Sequence, residues 1–354
     1  MIQDIKTLLK SKPLVIDGAL GTQLETKFNK LLQEDGINIQ SHPLWSALVL
    51  LKNPELIQEV HYDYLCSGAN IITTSTYQAS KRGLLEHAPG IENDDEVSAV
   101  YDKAIELAVE ARLQYLSEVD KGSHSLTNKE IFICGSIGPF GAYLANGAEY
   151  TGEYDSHIIE QKELKLFHHD ITDRFLNNPE CDIIGFETIP NYSEFQQIIE
   201  LMEDSLQKTN KPFYISLNFK DSKTICDGTP LSIVVDYLNE RLSRSEVLKS
   251  AFIGLGCNCV PLESATDILS NISSLNKIHE FPLIAYPNAG LDYDLSKGEY
   301  SIKSSEKQVW EGLCREWLKK LNVRLVGGCC GSGPKEISII RNVTDRFVIE
   351  ENSY

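Results

Sequence analysis

Leu325-Val-Gly-Gly-Cys-Cys-Gly-Ser-Gly-Pro334 decides how the rest of the chain is read. The run from Val323 to Val326 has the length and apolar content of a short buried strand. Gly327 and Gly328 end it, and the adjacent Cys329 and Cys330 follow. Gly331, Ser332 and Gly333 then turn the chain, and Pro334 suits the first position of a helix. Glycine on both sides lets two sulfurs point to one spot beyond the strand end. A third thiol from elsewhere makes a three-sulfur metal site with an open fourth position, the layout of a catalytic zinc. Cys259, in Gly256-Cys-Asn-Cys259, is the best donor because it too follows an apolar run, Phe252, Ile253 and Leu255. The competing reading is inert core cysteine, since a buried thiol behaves as a small hydrophobe, and no zinc-finger spacing is present.

Working outward, the same unit recurs along the chain. Apolar runs begin at Leu14, Asn70, Ile131, Asp182, Phe213, Phe252, Leu283 and Val323. Helical stretches separate them: one with Asn53 as its cap and Pro54 in its first turn, closed by Gly68, then about Asp94 to Leu116, Ser156 to Leu176, a stretch with Val234, Tyr237 and Leu238, and Glu306 to Leu321. Polar loops are expected between Glu25 and Trp45 and from Ser117 to Lys129, and a tyrosine- and aspartate-rich loop after Asn288. Eight strands alternating with helices imply parallel strands with crossover connections. Closed into a ring they make an α/β fold, a single (β/α)8 TIM-type barrel. No composition shift marks a second domain, so residues 1–354 are read as one unit with a core of about 13–345. In such a barrel the residues just after each strand gather at one mouth, where catalysis occurs. Asp17, Thr74, Ser136, Glu187, Asn218, Cys259, Asn288, Cys329 and Cys330 all fall at such ends.

Composition narrows the function classes. With 42% hydrophobic and 24% charged residues the chain is an ordinary globular protein. A net charge of −18 argues against nucleic acid or an anionic membrane as partner. No apolar run approaches membrane-spanning length, and the amphipathic N-terminus has too few apolar residues for a signal peptide. Nine cysteines without regular spacing fit reduced thiols in a cytoplasmic enzyme.

Several pieces together resemble the homocysteine S-methyltransferase family: Asp17-Gly-Ala-Leu-Gly-Thr22 with Glu25, Ser136-Ile-Gly-Pro-Phe-Gly-Ala-Tyr143, Phe186-Glu-Thr-Ile-Pro190, Asp227-Gly-Thr-Pro230, Asn258-Cys259, Tyr286-Pro-Asn288 and Gly327-Gly-Cys-Cys-Gly331. Their order spans about 13 to 345. The resemblance implies Zn²⁺ held by Cys259, Cys329 and Cys330, with the sulfur of homocysteine at the open position. It implies that Asp17 and Glu187 bind the substrate's ammonium group, while backbone amides from Gly18 onward, with Thr74, take its carboxylate. Ser136 and Asn288 complete the expected substrate contacts. Cys257 is read as a bystander, and Phe140 stands where relatives often carry tyrosine.

The implied reaction forms methionine from homocysteine with S-methylmethionine or S-adenosylmethionine as donor. Betaine is the alternative donor, disfavoured because betaine-using relatives look longer at the C-terminus. A sulfonium carries positive charge that methyl transfer removes, so a dry mouth favours the step. Each residue also has a plainer reading. Asp17 could cap a turn, and Thr74 and Ser136 could satisfy barrel-top backbone. Trp45, Tyr77 and Tyr143 are packing residues or a face for a sulfonium cation. His61 is read at the core edge, and Cys66, Cys134, Cys181, Cys226 and Cys314 as core filling. Two rivals from other classes are a non-enzymatic zinc or thiol-binding barrel and a cysteine-nucleophile hydrolase; no histidine at a strand end serves the latter.

Overall fold

The computed structural model describes residues 4–121, 130–154, 160–289, 291–294, 299–302 and 307–351. Eight parallel strands form the barrel: β1 (Leu14–Val15), β2 (Ile71–Thr73), β3 (Phe132–Ile137), β4 (Ile183–Ile189), β5 (Phe213–Leu217), β6 (Phe252–Pro261), β7 (Leu283–Asn288) and β8 (Val323–Val326). Neighbours pair in sequence order, and β8 pairs with β1. The ring closes between β1 and β2, where Asp17 N donates to Ile71 O (3.0 Å) and Asn70 N to Val15 O (2.7 Å). All eight expected strands are present, so the (β/α)8 reading holds.

The barrel interior is filled by side chains from every strand, among them Leu14, Ile71, Phe132, Ile183, Tyr214, Ile253, Ile284 and Leu325. Ile5, Leu8 and Leu9 of the N-terminal helix Ile5–Ser11 join that cluster. The amphipathic N-terminus is therefore a plug under the barrel. The larger core lies between strands and the surrounding helices.

Three helix expectations change. A helix, Leu20–Glu34, occupies part of the expected polar loop; it buries only Gly21, Leu24 and Leu32, too sparse a pattern to stand out. The helix Pro54–Cys66 begins at Pro54, but Asn53 makes no capping bond; its amide donates to Asp35 instead (2.9 Å). The helix from Asp94 extends to Asp120. Gly68 follows Pro54–Cys66 at φ +100°. The expected helix starts at Ser156 and Glu306, and most of the Ser117–Lys129 loop, lie outside the described residues; those helices are seen as Gln161–Asn177 and Lys307–Lys320. The segment after β7 forms an antiparallel pair, Leu291–Asp294 with Glu299–Ile302, rather than an open loop.

Candidate active site at the barrel mouth

Two strands carry irregularities at the mouth. The β4–β5 register shifts between Phe186 and Ile189, and the β6–β7 register between Asn258 and Pro261. Such bulges re-aim a side chain locally. Here they fall on Glu187 and Cys259, and the residues Thr188 (φ +61°) and Cys259 (φ +52°) take left-handed backbone without being glycine. β6 also runs on past Gly256, so Cys259 lies within the strand's end rather than after it.

The sulfurs of Cys259, Cys329 and Cys330 lie within 4.8 Å of one another, and Cys259 Sγ is 3.9 Å from Cys330 Sγ. Tetrahedral coordination with bonds of about 2.3 Å needs sulfur–sulfur edges of about 3.8 Å, so the donor set fits a zinc-sized ion. Hydrogen bonds from Cys259 and Cys329 hold the Cys330 thiol well below its usual range. Hydrogen bonds to Cys329 and Cys330, with burial, push Cys259 well above it. Three thiolates this close repel, and a cation between them is what lets all three ionise. Cys257, by alternation along β6, sits fully buried in the outer core, where burial pushes its thiol up to about 12. Cys134, Cys181, Cys226 and Cys314 are buried too, and Cys66 is half-buried.

The cysteine loop is shaped by backbone bonds. Cys329 N donates to Pro287 O (2.8 Å), Ala289 N to Cys330 O (2.9 Å), and Ser332 N to Cys329 O (2.9 Å). Gly18 is required by this loop, since a Cβ there would lie 2.5 Å from Ser332 O.

Both predicted carboxylates are buried at the same mouth. Asp17 accepts from Thr73 N (2.9 Å) and Thr73 Oγ1 (3.0 Å). Burial pushes its carboxyl well above the usual range against those bonds, and the charge of Glu187 adds to the rise. Glu187 accepts from Ser136 Oγ (2.5 Å), Tyr214 OH (3.1 Å) and Tyr286 OH (3.2 Å). Burial raises it as well, and these three hydroxyls counter the rise.

The remaining predicted contacts are more mixed. Ser136 spends its hydroxyl proton on Glu187. Thr76 donates to Ser136 O (2.7 Å), so the 2.7 Å contact between Thr74 and Thr76 takes the proton of Thr74. Thr74 therefore has no donor left for a substrate carboxylate and braces the β2 and β3 ends instead. Ala19 N is likewise taken, by Ser332 O (2.9 Å). Asn288 donates to Cys259 O (3.1 Å) and leaves its Oδ1 buried without a partner among the described residues.

These groups line one cavity of about 1140 Å³. Trp45 and Tyr77 line it, but Tyr143 does not: it packs on Phe140 and Phe167 and its hydroxyl meets Glu86 (3.0 Å). Beside Ala145 and Gly147, the cavity wall from that stretch includes Glu149 and Tyr150. Sequence reasoning missed this pair, and His42, because no apolar run leads into them. Gly21 gives the Trp45 ring its place, since a Cβ there would lie 2.3 Å from a ring carbon. His61 is fully buried with neither ring nitrogen partnered among the described residues, and burial lowers it to about 3.

A model of the homocysteine S-methyltransferase family matches residues 14–344. The chain belongs to that family. It is 33% identical to the homocysteine S-methyltransferase of Escherichia coli, over 94% of this chain and 95% of that protein. It is 32% identical to the betaine-homocysteine S-methyltransferase of Drosophila melanogaster, over 96% and 97%. The crystal structure of the metallated homocysteine methyltransferase MmuM from E. coli superposes with a TM-score of 0.71 at 32% identity, covering 95% of this chain and 98% of that one. The Drosophila relative is nearly the same length as this chain, so length does not argue against betaine.

Proposed function

We propose that this chain is a zinc-dependent methyltransferase that forms methionine from homocysteine, with S-methylmethionine or S-adenosylmethionine as donor, acting as one domain in the cytoplasm. The observation that carries the reading is the convergence of three thiols and two buried carboxylates on one mouth. Cys259, Cys329 and Cys330 would hold the ion. Bound there, zinc would supply the charge that makes a substrate thiol a thiolate at neutral pH. Asp17 and Glu187 would take the ammonium group, whose charge relieves their mutual repulsion. The substrate's carboxylate would face the N-terminus of Leu20–Glu34, which has no side-chain cap. Two-point attachment then fixes the sulfur along the line of attack.

A cationic donor fits the other wall. Trp45, Tyr77 and Tyr150 present aromatic rings, and Glu25 and Glu149 add carboxylates, one oxygen of Glu149 being buried without a partner among the described residues. Betaine is a zwitterion whose quaternary ammonium group could meet the same rings, and the Drosophila relative makes it the second reading. The test is direct: incubate purified protein and homocysteine with each donor, and quantify methionine and bound metal. Methionine from either sulfonium with about one zinc per chain is the expected result. Methionine from betaine alone overturns the donor reading, and methionine from none overturns the function.

A further inference from the structure

Thr188 is the most strained buried residue at the mouth. β-branched side chains rarely adopt left-handed backbone, yet Thr188 holds φ +61° with its side chain fully buried. Something must hold it there, and the hydrogen bonds identify what does. Asn258 Oδ1 accepts from Thr188 N (2.8 Å), and Asn258 Nδ2 donates to Thr188 Oγ1 (2.7 Å). A backbone N–H only donates, which fixes the amide of Asn258 with its oxygen toward Thr188 N.

The clamp spans β4 and β6, which are not neighbours: β5 pairs with both. Asn258 thus reaches across the mouth from one bulge to the other. Its two ends sit one residue from Glu187 and one residue from Cys259. Those are the groups assigned above to the ammonium and sulfur ends of the same substrate.

We propose that Asn258 is a positioning residue that locks Thr188 in its left-handed conformation and so sets the spacing between the Glu187 carboxylate and the Cys259 thiol. The proposal rests on the reading of Glu187 as the ammonium-binding group. The clamp makes the mouth a gauge for the length of a thiol-bearing amino acid. Losing it leaves both ends of the site present but mismatched.

The experiment compares Asn258→Ala, Thr188→Gly and the double variant, each zinc-loaded, with homocysteine and with a thiol of the same length that lacks the amino group. Bound zinc and thermal midpoint are measured alongside. Asn258→Ala is expected to raise the homocysteine KM about tenfold or more and to change the desamino thiol far less, with zinc content retained. Glycine takes left-handed backbone without a clamp, so Thr188→Gly added to Asn258→Ala should recover at least about threefold of the lost homocysteine efficiency. Thr188→Val keeps the strain and loses only the side-chain half of the clamp. It should show the same discrimination at about threefold, and it replaces Asn258→Ala if that variant does not fold. Equal losses toward both thiols, or a double variant no better than Asn258→Ala, overturn the proposal. Glu187→Gln separates the two claims. If it too fails to distinguish the thiols, the ammonium reading is wrong; if it distinguishes them and neither Asn258→Ala nor Thr188→Val does, the clamp alone is wrong.

Discussion

Asp17 and Glu187 are both buried acids, but their surroundings divide the work between them. Glu187 has three hydroxyl donors and Asp17 has one threonine, so Asp17 is the acid whose charge is worse supported. Its carboxyl is held well above the ordinary value of 3.8. From that value up to the raised folded one, the folded state binds more protons than the unfolded state. Stability of the substrate-free protein therefore falls as pH rises through that window. Asp17→Asn removes the fall: its thermal midpoint should vary less with pH than wild type and exceed it near neutrality. The same variant should lose about ten- to a hundredfold in homocysteine efficiency, as expected for one charge-assisted contact. A wild-type midpoint that rises from pH 5 to 7 relative to the variant would sink this account. The thiols divide in the same way. Cys259→Ser, Cys329→Ser or Cys330→Ser should each strip most of the bound metal, and Cys257→Ser should leave it, since Cys257 faces the outer core. A metal-depleted Cys257→Ser or a fully loaded Cys259→Ser reverses the assignment.

At the scale of elements, the sequence is legible where side-chain pattern and structure share a cause. Each barrel strand is an apolar run that stops at a polar residue, and that stop marks the mouth, so Asp17, Glu187 and the three cysteines were found together. What stays hidden depends on backbone. The bulges at Glu187 and Cys259 leave no mark in the alternation of side chains, and they decide which groups point inward. The direction of the Thr74 hydroxyl is hidden too, because it has one proton and where that goes depends on Thr76 two residues on and on Ser136 O from another segment. The wall at Glu149 and Tyr150 follows from a four-residue helix, Ala148–Thr151, too short for periodicity to show. The N-terminal helix gives the converse case. Its apolar face was visible, but only the fold shows that Leu8 closes the barrel floor, 1% exposed, opposite the mouth. Leu8→Ala should cost about 2–5 kcal/mol of stability and leave kcat and KM nearly unchanged, because the lost contacts are on the far side of the barrel. A denaturant titration run beside the methyl-transfer assay checks both halves. A large change in KM without a change in midpoint would show that the floor communicates with the site.

For the molecule as a whole, the question is whether the metal builds the fold or is received by it. Small zinc domains unfold without their ion because they cannot bury enough apolar surface alone. This chain has an extended core between strands and helices, a second core inside the barrel, and a ring closed by backbone hydrogen bonds. The cysteine loop itself is tied to β7 through Pro287 and Ala289 and to the following turn through Ser332, none of which involves a sulfur. Gly331 N adds a bond to Thr22 Oγ1 (3.2 Å) on the neighbouring helix. The backbone that shapes the site thus needs no sulfur, and an ion bound there would add stability only by mass action on the folded state. Chelation under reducing conditions should abolish methyl transfer while preserving the far-ultraviolet circular dichroism, and should lower the thermal midpoint in proportion to metal affinity. Returning zinc should restore activity without a refolding lag. Loss of the helical signal on chelation at 25 °C would mean that the metal is structural here, and the separation of scaffold from site would have to be abandoned.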